Sequence, residues 1–195
     1  MRILAVCGSL QQNSGNLRLL QLAGQIMGNA AHIEIFSGLG DLPLFNPDLE
    51  ESGESSPAPV ERWRQALRAA DAVVIASPEY GHSLTGVLKN AIDWVIPSGE
   101  LNRKPIAITA AVASPDRGLR GLSALKQTLH AVDAMVLHSS AIVQGPQAGT
   151  ELQTLLSTLL EGVRIQESVE HRSKQWIESA FDLKAKPGTD TTTAG

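Results

Sequence analysis

A doubly wound α/β sheet of five parallel strands, in a three-layer α/β/α arrangement, is the architecture predicted by three features of this sequence. Five short strand patterns alternate with five longer helical ones. The first strand pattern, Ile3 to Cys7, and the Ala72 to Ala76 part of the third, Asp71 to Ala76, are continuous apolar runs, as expected of strands covered on both faces. Polar loops rich in turn residues follow the first, third and fourth strands, the places where an open parallel sheet forms its ligand crevice.

Taken in order, the first strand stops at Gly8, and the polar stretch Gly8 to Asn16 leads into a helix on which Leu17, Leu20, Ala23, Gly24 and Met27 recur. Ser14 is its candidate N-cap. His32 to Phe36 alternates, which reads as a strand near the sheet edge. Ser37 to Pro59 is a long connection with four prolines, and a connection of that length is functional or an interaction surface. Its least ordered part is expected at Ser52 to Ser56. Val60 to Ala70 reads as a helix with Trp63, Ala66, Leu67 and Ala70 inward and Arg62, Arg64 and Arg68 in solvent.

After the third strand, Ser77 to Ser83 forms a loop on which the other segments converge, and Leu84 to Val95 carries a clean apolar stripe. Lys89 and Asp93 have the spacing of an i, i+4 ion pair. Pro105 to Val112 is the fourth strand, Ala113 to Gly118 the third polar loop, and Leu119 to Val132 a helix. The last strand begins at Ala134 to Leu137 and runs on unevenly through Ile142 and Val143. Thr150 to about Leu183 is helical, with a kink expected at Gly162. Residues 1–183 are expected to form a single domain and 184–195 a disordered tail. In the strand order 2-1-3-4-5 the three polar loops open side by side onto one crevice.

Composition narrows the function. The chain has 195 residues, 43% of them hydrophobic, and a formal charge of -4, which disfavours a nucleic-acid partner. No run approaches the roughly 18 apolar residues of a membrane span. The expected location is the cytoplasm. Cys7 is the only cysteine, which excludes an internal disulfide and a cysteine-based zinc site.

The Gly8 to Asn16 loop reads either as a phosphate seat, where unpaired N–H groups and a helix dipole meet an anion, or as an ordinary βα turn. It lacks both the Walker lysine and a G-x-G-x-x-G fingerprint. Cys7 stands where a tyrosine phosphatase loop of similar topology has its nucleophile. That loop requires an arginine six residues on, and Asn13 occupies the position here. Cys7 therefore reads as a small buried hydrophobe.

Gly8-Ser9-Leu10 with Ser14 and Asn16, the stretch Ser77-Pro78-Glu79-Tyr80, and the run Gly86 to Trp94 containing Lys89-Asn90-Ala91-Ile92-Asp93 resemble the NADPH-dependent FMN reductase family. Its members include flavodoxin-like quinone, azo-dye and chromate reductases. The resemblance spans about the first 140 residues, including Asn46 to Leu49. It implies a flavodoxin-like fold, FMN as cofactor, NADPH or NADH as co-substrate, and a small-molecule electron acceptor such as a quinone, free flavin, azo compound or metal oxyanion. It also implies a homodimer or homotetramer, with the loop from Leu42 to Ser56 as the candidate interface.

Carried over by position, Ser9, Gln11, Ser14, Gly15 and Asn16 hold the FMN phosphate, and Pro78, Glu79, Tyr80, Gly81 and His82 line the isoalloxazine. Ser114 and Arg117 close the far side. Backbone N–H groups from Glu79 to His82 are expected at the pyrimidine end. The Glu79 side chain is expected to be structural, as a cap of the next helix or an ion-pair partner. Tyr80 reads equally as a flavin contact or a packing residue, and His82 as a surface or interface residue. Arg117 and Arg120 read as partners of the NADPH phosphates or as a solvated helix start. Three departures from the family stand out: Gln11 replaces an arginine, Gly81 an asparagine, and Arg117 lies in a loop that is often glycine-rich. They predict weakened FMN binding. A flavodoxin-type electron carrier and a flavin-free binding protein are the alternative functions.

Overall fold

The computed structural model describes the backbone of residues 1–51 and 56–185, with side chains for 1–50 and 56–176. The expectations for Ser52 to Ser55 and for residues 186–195 lie outside the described residues. Five strands, β1 (Arg2–Cys7), β2 (His32–Phe36), β3 (Ala72–Ala76), β4 (Pro105–Val112) and β5 (Met135–Val143), form one sheet in the order β2-β1-β3-β4-β5. Every pairing is parallel, as predicted. Cys7 pairs with Ala76 and Ala76 with Thr109, so β1 and β3 end level. The loops that follow β1 and β3 leave the sheet side by side.

Helices cover both faces. Helices α3 (Ala58–Ala69), α4 (Gly86–Asp93) and α5 (Leu119–Ala131) bury Trp63, Leu67, Leu88, Ile92 and Leu125 against one face. Helices α1 (Gly15–Met27) and α6 (Ala148–Ala185) bury Leu20, Ala23, Leu152, Leu155 and Leu159 against the other. A four-residue helix, α2 (Asp48–Glu51), sits in the long β2–α3 connection.

Several boundaries and side-chain faces differ from the sequence reading. Arg64 is not solvated: it is only 5% exposed and donates to Glu50, Ser56 and the Trp94 carbonyl. Periodicity places it at the edge of the polar face, and the folded-back connection then covers it. Arg62 and Arg68 are exposed but paired, with Asp41 and with Glu61 and Glu100 respectively. Helix α6 continues through Lys184 and Ala185, two residues that the sequence assigns to a disordered tail, and it runs unbroken past Gly162. That glycine is a packing device: a Cβ there would come within 2.1 Å of Leu137 Cδ1. Leu137 is the residue skipped where the β4–β5 register shifts, a bulge that explains the uneven last strand.

The long connection is fastened to α4. The Asn90 amide accepts from Phe45 N–H at 2.8 Å and donates to the Pro43 carbonyl at 2.9 Å. Trp94 Nε1 donates to that same carbonyl at 2.7 Å. Two residues of the run that carries the family resemblance thus staple an irregular segment whose backbone would otherwise lack partners. Lys89 and Asp93 form the anticipated pair on the outer side at 2.6 Å.

Candidate active site

Three strand ends shape the crevice. At the end of β1, Gly8 passes against Ser77 so closely that a Cβ would lie 2.6 Å from the Ser77 hydroxyl oxygen. The Thr85 hydroxyl donates to the Gly8 carbonyl at 2.7 Å, tying the first loop to the start of α4. Thr85 makes no side-chain cap on its own helix; it serves the neighbouring strand end.

In the first loop, Ser9 Oγ accepts the Gln11 N–H and Ser14 Oγ accepts the Asn16 N–H, so Ser14 is the N-cap of α1. The N–H groups of Gln12, Asn13 and Gly15 meet no protein acceptor among the described residues. Three unpaired donors at a capped helix start suit an anion. Gln11 is exposed and brings no charge. Asn16 is 4% exposed, and its amide oxygen accepts the Ala111 N–H at 2.8 Å, which places that oxygen in the join between α1 and β4. A cation that the sequence reading missed lies beside this loop: Arg18 donates to the Asn13 carbonyl at 2.7 Å. Only the folded turn brings the two together, since periodicity puts Arg18 on a solvent face.

The second loop is a two-residue hairpin. Tyr80 and Ser83 exchange both backbone hydrogen bonds, and Gly81 and His82 between them have φ of +56° and +62°. Two successive left-handed residues define a type I′ turn, which glycine and asparagine tolerate. Gly81 meets that backbone demand without a side-chain penalty. The turn consumes the Tyr80 N–H, and the donors left for a ligand are those of Glu79, Gly81 and His82. Tyr80 is 60% exposed and projects from the hairpin.

Glu79 turns towards α5. Its Oε2 accepts the N–H groups of Arg120 and Gly121, both at 3.0 Å, and its Oε1 meets His82 Nδ1 at 3.1 Å. The Gly121 N–H, followed by the His82 contact, holds the Glu79 carboxyl below its ordinary pKa. The helix that this side chain caps is α5, not the next helix along the chain, α4.

In the third loop Ser114 donates to Asp116 at 2.5 Å, which likewise lowers the Asp116 pKa. Arg117 is exposed at the crevice edge, and Gly118 turns the chain at φ +81° against Val112 and Ala110. A cavity of about 560 Å³ lies between the second and third loops, floored by Pro78, Ala110, Ala111 and Gly118. The cavity has a floor of small apolar residues and a rim of Glu79, His82, Asp116, Arg117 and Arg120, and the unpaired N–H groups of the first loop lie at the neighbouring strand end; a flat ring with a phosphate tail, as FMN is, suits the two together. Cys7 is buried at the base of the first loop, and burial pushes its thiol pKa up, opposite to what a nucleophile needs. Among the described residues no cluster of metal ligands occurs, and no helix is long and apolar enough to cross a membrane.

The family model for NADPH-dependent FMN reductase matches residues 1–147. An NAD(P)H-dependent FMN reductase of Pseudomonas aeruginosa is 37% identical over 145 residues, covering 73% of this chain and 77% of the relative. A quinone reductase of Escherichia coli K12 is 33% identical over 147 residues, covering 74% and 78%. Among solved structures, the flavoenzyme NAD(P)H:(acceptor) oxidoreductase FerB of Paracoccus denitrificans superposes with a TM-score of 0.68 at 21% identity, over 84% of this chain and 97% of that one. Flavodoxin 1 of Bacillus cereus does so at 0.56 and 14%, over 83% and 98%. These two likenesses speak to the flavodoxin-like fold alone. The match over residues 1–147 includes all three crevice loops, and the chain belongs to the NADPH-dependent FMN reductase family, whose members are NAD(P)H oxidoreductases that use FMN.

Proposed function

We propose that this protein binds FMN in the crevice and passes electrons from NADPH or NADH to a small acceptor, a quinone foremost. The observation that carries the reading is the pairing of a crevice with a small-residue floor and a charged rim with a capped, donor-rich loop on the adjacent strand end. Bound FMN would supply the chemistry of hydride and electron transfer. The protein's part is to bind, orient and stabilise charge. Ser9, Gln11, Ser14, Gly15 and Asn16 form the phosphate loop, with the N–H groups of Gln12, Asn13 and Gly15 as donors. Pro78 and the Glu79 to His82 turn face one side of the ring, where the Gly81 and His82 N–H groups stabilise negative charge on reduction. Ser114 and Arg117 border the other side.

The test is an absorbance and fluorescence titration of the purified full chain with FMN, followed by anaerobic addition of NADPH or NADH. Quenched flavin fluorescence and bleaching on nucleotide addition are expected. Failure to bind FMN at saturating concentration overturns the reading, and binding without nucleotide oxidation makes the protein an electron carrier.

The reading extends to assembly and location. A cytoplasmic homodimer or homotetramer joined through the Leu42 to Ser56 segment accounts for Leu44, an apolar residue left 84% exposed on that loop. Leu44→Asp is expected to shift the sedimentation coefficient towards that of a monomer. A wild-type protein that sediments as a monomer refutes the assembly.

A further inference from the structure

The sheet ends in two edges of opposite character. β2 is five residues long, and its Glu34 is paired with Arg2. A short edge that carries charge is the form that keeps a sheet from recruiting another strand. β5 is nine residues long and contains no proline and no Asp, Glu, Lys or Arg. It pairs with β4 alone. Six of its nine residues are apolar, yet only Ile142 is buried, whereas every residue of β3 is.

The ladder shows which backbone groups point out. Gln144 N–H meets the Val112 carbonyl while Val112 pairs with Val143, so Ser140, Ile142 and Gln144 face β4. The Ser140 carbonyl also accepts the Thr109 hydroxyl from that side. Ser139, Ala141 and Val143 alternate with them and aim their N–H and C=O groups away from the sheet, where no described residue meets them. Such a row is a template for one more strand.

The strand is also complementary to itself. Read outward from Ser139, it has the same polarity in both directions: His138 and Ser140, then Leu137 and Ala141, Val136 and Ile142, Met135 and Val143. An antiparallel copy sets polar against polar and apolar against apolar, and no charge meets its like. A contact across a two-fold axis requires this self-complementarity.

We propose that the outer edge of β5 is an interface with a second copy of this chain, in which two β5 strands pair antiparallel about Ser139 and join two five-stranded sheets into one. The two Ser139 residues face each other and exchange both backbone bonds. Ala141 meets Leu137 of the second copy, where the bulge closes the ladder. This edge is separate from the Leu42 to Ser56 segment, which is fastened to α4. Either contact alone gives a dimer, and two different two-fold contacts on one chain close into a tetramer of dihedral symmetry.

The test is the mass of the full chain by sedimentation equilibrium in a Leu44→Asp background, which leaves β5 as the contact under study whether or not Leu44 makes one. That protein is expected to be a dimer. Adding Ser139→Lys sets two like charges directly opposite each other, and the mass is expected to halve. Ser139→Asp is expected to do the same. Ser139 is exposed, so neither change touches the core. An equimolar mixture of the Lys and Asp chains places opposite charges across the axis and is expected to regain the dimer mass, a rescue that a misfolded chain does not show. Amide exchange is expected to find the Ser139 and Ala141 N–H groups protected in the dimer and unprotected in the Ser139→Lys chain. A monomeric Leu44→Asp protein overturns the edge pairing, as does an unchanged mass on adding Ser139→Lys. So does a mixture that stays monomeric, or a dimer in which those two amides exchange freely.

Discussion

Replacing Asn90 by alanine tests the staple that holds the long connection beside the active-site loops. The substitution removes two hydrogen bonds, Phe45 N–H to Oδ1 and Nδ2 to the Pro43 carbonyl, and leaves the half-buried Phe45 N–H without an acceptor. At about 1 kcal/mol for each bond, and somewhat more where a donor is stranded, the expected loss is about 2–3 kcal/mol. The Pro43 carbonyl retains Trp94 Nε1 as a donor in this variant. Trp94→Phe removes that donor and leaves Asn90. Only the double variant strips the carbonyl of both, and a coupling of about 1 kcal/mol is expected between the two sites. Urea unfolding followed by far-ultraviolet circular dichroism measures all three differences without relying on Trp94 fluorescence. Because Gly40 of the same connection lies against Leu10 of the first loop, FMN affinity should weaken in parallel. A loss below about 0.5 kcal/mol for Asn90→Ala, the range of an indifferent surface change, refutes the staple, and strict additivity refutes the shared carbonyl.

Gln11→Arg restores a cation to the phosphate loop and is expected to tighten FMN while leaving riboflavin, which lacks the phosphate, unaffected; equal effects on both flavins would place Gln11 elsewhere. Gly118→Ala forces a side chain into left-handed backbone and to within 2.9 Å of Val112 Cγ1, so a cost of about 1–3 kcal/mol and weaker flavin binding are expected. A thermal midpoint equal to wild type would refute that packing. The Glu79 pKa is depressed in the folded state, chiefly by the Gly121 N–H. Its contribution to stability is therefore complete above the ordinary carboxylate pKa and is lost as pH falls through the depressed folded value. Glu79→Gln should flatten the acid limb of the stability curve, and an acid limb superimposable on wild type would show that Glu79 does not contribute to it.

The three crevice loops and most element boundaries are legible in the sequence because they depend on local signals. Val73, Val74 and Ile75 make a run that only a covered strand accommodates. Ser14 caps α1 by reaching two residues along the chain. The roles of Arg64, Asn90 and Asn16 escape this reading, since each meets a partner 14 to 95 residues away. Periodicity assigns a residue to a helix face and says nothing of what later folds over that face.

The same division runs through the hairpin at the end of β3. Sequence alone determined that a polar loop leaves the sheet there, because Pro78 cannot continue the ladder and Gly81 accepts a positive φ. It also determined the family, since the loop and the α4 motif lie close together along the chain. Tertiary structure decided what the loop's side chains do. Glu79 finds its partners on α5, some forty residues on, and His82 meets Arg120 there. Such contacts depend on the sheet order that brings β3 beside β4, and they form only after chain entropy has been spent on the whole α/β frame.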